Sequence, residues 1–83
     1  MPLFMDIHYH VDGATTEAVA QAHQADLKIQ EKYGAKYLRY WFDESSGKIF
    51  CLVEAPNKEA AIAVHREAHG LVADEILEVT EGN

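Results

Sequence analysis

The order of two repeating patterns constrains this chain more than anything else in it. Residues 3 to 11, LFMDIHYHV, alternate with period two. Met5, Ile7, Tyr9 and Val11 share one face of an extended strand, and Phe4, Asp6, His8 and His10 share the other. DGATTEA then supplies a turn and a helix start, with Thr15 as N-cap and Glu17 at the positive end of the helix dipole. The helix is predicted to run to about Tyr33, where Gly34 takes a left-handed terminal position. KYLRYWFD and KIFCLVEA read as strands joined by a hairpin turn at ESSG. Pro56 ends the second of them, Asn57 caps a further helix, Gly70 closes that helix, and EILEVTE is a last short strand.

Strand, helix, strand, strand, helix, strand is the split βαβ order of a ferredoxin-like α+β fold, βαββαβ. It predicts a four-stranded antiparallel sheet with two helices on one face. Residues 1–83 are enough for one such domain, with no linker or repeat. The other face of the sheet is then bare in a monomer. Yet the second strand is bulky on both sides, Leu38, Tyr40 and Phe42 on one and Tyr37 and Trp41 on the other. The third sets Ile49, Cys51 and Val53 against Phe50 and Leu52. A bare face of that kind would be a large exposed apolar patch, so a homodimer packed sheet to sheet with two-fold symmetry is expected.

The net charge of −7 argues against a nucleic-acid partner, which needs a basic surface. One cysteine excludes an internal disulfide and fits a cytoplasmic setting. MPLFMDIHYH lacks the basic segment and long apolar run of a signal peptide, and no run is long enough to span a membrane.

Four of the five histidines fall in two short stretches, MDIHYH and HREAHG. His65 and His69 are four apart on the second helix, close enough to share one metal ion. The plainer alternative packs His65 in the core and leaves His69 to cap the helix end. His8 and His10 share a strand face with Asp6. Because Met5, Ile7, Tyr9 and Val11 form the more apolar set, Asp6, His8 and His10 are expected to face away from the helices, toward the dimer interface or its rim. The two histidine pairs would then serve separate sites, unless the strand set is only a polar edge. On the first helix, His23 and Asp26 lie beside the stripe of Val19, Ala22, Ile29 and Tyr33. There Asp26 would orient His23 as a base or ligand, or only satisfy its hydrogen bond. Imidazole nitrogens with carboxylate oxygens suit Ni2+, Co2+ or Zn2+. Cys51 is a small core residue unless a histidine approaches it.

YLRYWFDESSGKIFCLVEAPNKEAA and VHREAHGLVADEILEVTEG, with AHQADLKIQEKYGAKYLRYW before them, resemble the family of small bacterial nickel-binding, nickel-responsive proteins. The resemblance runs nearly end to end. Its most specific marks are Cys51 followed by Glu54, Ala55 and Pro56, then the second helix ending in HG. It implies a dimeric α+β barrel of two ferredoxin-like subunits with nickel sites near the interface, and His8, His65 and His69 lie in segments typical of the family. The expected function is metal binding that buffers or responds to nickel without catalysis. Two rivals stand beside it. One is a cofactor-independent oxygenase or isomerase, with His23, Asp26, Tyr9, Tyr40 and Trp41 lining a pocket. The other is an interaction module whose histidines only fill hydrogen bonds.

Overall fold

The computed structural model describes residues 1–82. Strands β1 (Leu3–His8), β2 (Lys36–Asp43), β3 (Lys48–Glu54) and β4 (Glu75–Val79) form one antiparallel sheet in the order β2-β3-β1-β4. Helices α1 (Thr16–Ile29) and α2 (Lys58–Ala68) cross over between strands. This is the expected ferredoxin-like arrangement. The side chain of Thr15 accepts from the amide of Ala18, and that of Asn57 from Ala60, so both predicted N-caps form. One 3-10 turn, Gln30–Tyr33, carries α1 on to Gly34, whose φ of 68° ends it.

The strand faces depart from the expected pattern in two places. First, β1 is turned over: Phe4, Asp6 and His8 are buried under the helices, while Leu3, Met5 and Ile7 lie half-exposed on the outer face. Counting apolar residues favoured the opposite choice. It failed because the outer face is apolar too, and because Asp6 finds partners on the inside. β1 also stops at His8. The Tyr9 amide leaves the sheet to donate to Asp74, so the alternation does not reach His10, which is exposed.

Second, the pairing of β2 with β3 shifts by one residue between Tyr37 and Arg39. Tyr37 stands opposite Val53, Tyr40 opposite Cys51 and Phe42 opposite Ile49, all on the covered face; Arg39 and Trp41 stand opposite Leu52 and Phe50 on the outer one. Neither set expected from strict alternation is intact, because a bulge changes the phase of the strand.

The core on the covered face is compact, with Val53, Ala55, Ala61 and Val64 fully buried. No helix among the described residues is long and apolar enough to cross a membrane.

Candidate metal centre

Four elements meet beneath the helices. β1 brings Asp6 and His8, β3 brings Cys51 as the register partner of Asp6, α2 brings His65, and α1 brings Asp26. The α2 stripe of Ala61, Val64 and His65 is buried as the 3.6-residue period requires. His69 follows at the end of α2, where Gly70 at φ 82° turns the chain away. Its side chain keeps 14% exposure, against 0% for Asp6, so it lies nearest to solvent.

His65 is held between two carboxylates. Its Nδ1 lies 2.9 Å from Asp26 Oδ1, and its Nε2 lies 2.9 Å from Asp6 Oδ2. Asp26 Oδ1 is also 3.0 Å from His69 Nε2, and Asp6 Oδ1 is 3.4 Å from His8 Nε2. The Tyr37 hydroxyl reaches Asp6 Oδ2 at 2.9 Å and the Ala61 carbonyl at 3.1 Å. Tilted ring pairs complete the cluster, with centroids 5.1 Å apart for His8 and His65 and 4.8 Å apart for His65 and His69.

The charges follow from these contacts. Burial alone would raise the Asp6 pKa, but His65, His8 and Tyr37 outweigh it and hold the carboxyl well below the usual range. Asp26 is lowered in the same way, with burial overcome by His65 and His69. For His65, burial opposes the charge, yet Asp26 and Asp6 push its pKa up to about 9. Burial and the Asp6 carboxylate drive the Cys51 thiol upward, so it is protonated in the absence of a cation.

Two features of the cluster favour a cation. Asp6 Oδ1 and His65 Nε2 are buried and have no hydrogen-bond partner among the described residues, although His65 Nε2 lies 2.9 Å from Asp6 Oδ2 and pairs with it when His65 is charged. Both residues belong to one set, Asp6, His8, Cys51 and His65, in which one donor atom from each residue lies within 4.8 Å of the others. A second set, Asp26, His65 and His69, meets the same spacing. A cavity of about 20 Å³ touches both sets. These residues fit a borderline divalent ion, which takes nitrogen, sulfur and carboxylate oxygen together.

The sequence-derived residues are therefore regrouped. His8 and His65, expected on different sites, share one. His8 and His10 do not pair, since His8 is buried and His10 is exposed beyond the strand end. Asp26 turns to His65 and His69 and makes no hydrogen bond with His23. His23 instead lines the cavity with its ring 4.7 Å from Tyr40, its Nδ1 without a partner among the described residues, and its pKa lowered chiefly by burial. Cys51 now has the histidine neighbour that makes it a candidate ligand. Its signal in the sequence was its inward position opposite β1. Of the five residues expected to line an enzyme pocket, His23, Asp26 and Tyr40 do line the cavity, whereas Trp41 is on the outer face and the Tyr9 hydroxyl is bonded to Glu75.

A family model described as "Nickel responsive protein SCO4226-like" matches residues 4–79. The chain is similar to SCO4226 from Streptomyces coelicolor A3(2), known from a crystal structure, with 42% identity and a TM-score of 0.90 over 98% of this chain and 99% of that one. No curated protein matches.

Proposed function

The chain belongs to the nickel-responsive SCO4226-like family, and on that premise we propose that it binds Ni2+ through Asp6, His8, Cys51 and His65, buffering or responding to the metal without transforming a substrate. The observation that carries the reading is the pair of orphaned, buried donor atoms, Asp6 Oδ1 and His65 Nε2, inside a four-donor set. An orphaned polar atom in the interior costs about 1–3 kcal/mol, and an ion would remove that cost at Asp6 Oδ1. The Asp6 carboxylate and a Cys51 thiolate would balance the two charges of the ion. Co2+ and Zn2+ suit the same donors.

The size of the cavity separates this reading from the enzyme. About 20 Å³ holds one water or one bare ion, whereas small-molecule sites measure roughly 300–1,000 Å³. A thiol ligand that must stay reduced fits the cytoplasm.

The outer face of the sheet supports a homodimer as the working form. Leu38 and Trp41 are exposed there, and with Leu3, Met5, Leu52 and Val79 they line a mainly apolar groove that Arg39, Thr80 and Glu81 complete. The acidic balance of the chain gives no footing for nucleic acid.

Native mass spectrometry with elemental analysis of the purified protein tests the metal directly. We expect nickel retained at neutral pH and lost from His8→Ala and His65→Ala proteins that remain folded. Folded variants with wild-type nickel content would refute the site.

A further inference from the structure

The walls of the 20 Å³ cavity are uneven. Its floor is buried and holds His8, Cys51 and His65. Its rim is not. His23 on α1, Tyr40 on β2 and His69 at the end of α2 are half-buried, and Leu71 just beyond is 43% exposed. The way from solvent to the floor therefore passes between α1 and the chain that leaves α2. A space of that size takes one water or one bare ion, so an ion with its full shell of water does not fit. It must shed water at the rim, and a charge stripped of water is costly until another donor replaces it. The barrier to entry thus lies where His23 stands. The Nδ1 of His23 is buried and has no partner among the described residues. His69, the other imidazole of the rim, has both nitrogens in contact already, Nε2 at 3.0 Å from Asp26 and Nδ1 with the Leu71 amide at 3.1 Å. His23 belongs to neither donor set, so from its position it completes neither of them.

We propose that His23 is the entry ligand of the metal centre: its imidazole takes the ion at the rim of the cavity in place of lost water, passes it to the buried donors, and is not a ligand of the ion once it is seated. The proposal rests on the metal reading above and adds the route by which the site fills and empties. The ring contact with Tyr40, 4.7 Å between centroids, holds His23 at the rim. A donor that acts only in transit lowers the barrier in both directions. The equilibrium stays where the resident ligands set it. His23 therefore governs how fast the ion comes and goes, and the buried residues govern how tightly it is kept.

Stopped-flow mixing of the metal-free protein with Ni2+ and a colour-forming nickel indicator reads uptake, and a chase with excess chelator reads release. Calorimetry supplies the equilibrium affinity, and circular dichroism checks the fold. His23→Phe keeps a ring against Tyr40 and removes the donor; His23→Ala removes both. We expect each to slow uptake and release alike, by about tenfold or more, with affinity within about twofold of wild type. His23→Asp returns a donor and should recover part of both rates. The Phe and Ala variants act oppositely on the width of the mouth, so only loss of the donor slows both. If one of them fails to fold, the contrast of the other with His23→Asp decides. Wild-type rates in the folded variants overturn the proposal, as do slow rates in the Phe variant alone, which trace to its bulk. A large loss of affinity makes His23 a resident ligand and overturns it too. In each of these cases the metal reading stands. A wild-type protein that takes up no Ni2+ overturns the metal reading and this proposal with it.

Discussion

Asp6 and Cys51 are register partners across β1 and β3, and both side chains lie on the helix-covered face of the sheet. Burial and the carboxylate beside it both discourage the ionisation of the thiol. Loading with Co2+ should then produce a thiolate charge-transfer band in the near ultraviolet. We expect Cys51→Ser to abolish the band and weaken binding by tenfold or more. The same band in the serine variant would remove Cys51 from the ligand set.

The metal-free protein should be most stable in mildly acidic solution. The folded pKa of His65, about 9, is above the unfolded value near ~6.5, so its contribution is complete below ~6.5 and lost as pH rises toward 9. The size is about 3 kcal/mol at roughly 1.4 kcal/mol per pKa unit. Asp6 and Asp26 act in the opposite sense. Their folded pKa values are depressed, so their contribution is present above the unfolded value near ~3.9 and lost as pH falls below it. Urea unfolding across pH should trace both limbs. Flat stability between pH 6 and 9 would contradict the charged His65.

Nickel should reverse the alkaline limb. A proton on His65 Nε2 competes with the ion, so affinity rises with pH up to about 9, and the metal stabilises the fold by mass action. Thermal unfolding with and without Ni2+ should therefore diverge as pH increases. Convergence at high pH would count against ligation by His65.

Single histidine substitutions should separate by burial. His10→Ala, at an exposed position beyond the strand, should change stability by less than about 0.5 kcal/mol and leave nickel binding intact. His65→Ala leaves two buried carboxylates facing a void and should cost about 3–5 kcal/mol without metal. Calorimetric titration together with denaturation distinguishes the two. A strong loss of nickel in His10→Ala would return that residue to the site.

On the outer face, Trp41→Glu should convert dimer to monomer or make the protein insoluble. Sedimentation should give twice the 9.3 kDa chain mass for the wild type. A soluble wild-type monomer would refute sheet-to-sheet pairing.

The element order, both N-caps and the glycine stops were legible because each depends on neighbours within a few residues. The α2 stripe was legible for the same reason, and it correctly carried His65 inward. The orientation of β1 was not. Both its faces are apolar enough to be buried, and what turns Asp6 inward is the company of His65 and Tyr37, 59 and 31 positions along the chain. The partner of Asp26 was misread for a related reason. His23 is its neighbour on α1, but α2 crosses close enough to offer His65 and His69. Local spacing proposes pairs, and the packing of helix on helix chooses among them.

The shift between Tyr37 and Arg39 means that β2 is one residue longer than the stretch of β3 it accompanies. Leu38 is the surplus. Removing it would leave Tyr37, Arg39, Tyr40, Trp41 and Phe42 alternating with the same sides up as before, so Tyr37 would still reach Asp6 and Tyr40 would still lie against His23. A one-residue deletion, which in most strands scrambles every side chain downstream, would here act as a local trim of the outer surface. The interior of the subunit can therefore stay as it is while the outer face of β2 changes, because Leu38 belongs to the outer face and not to the buried core.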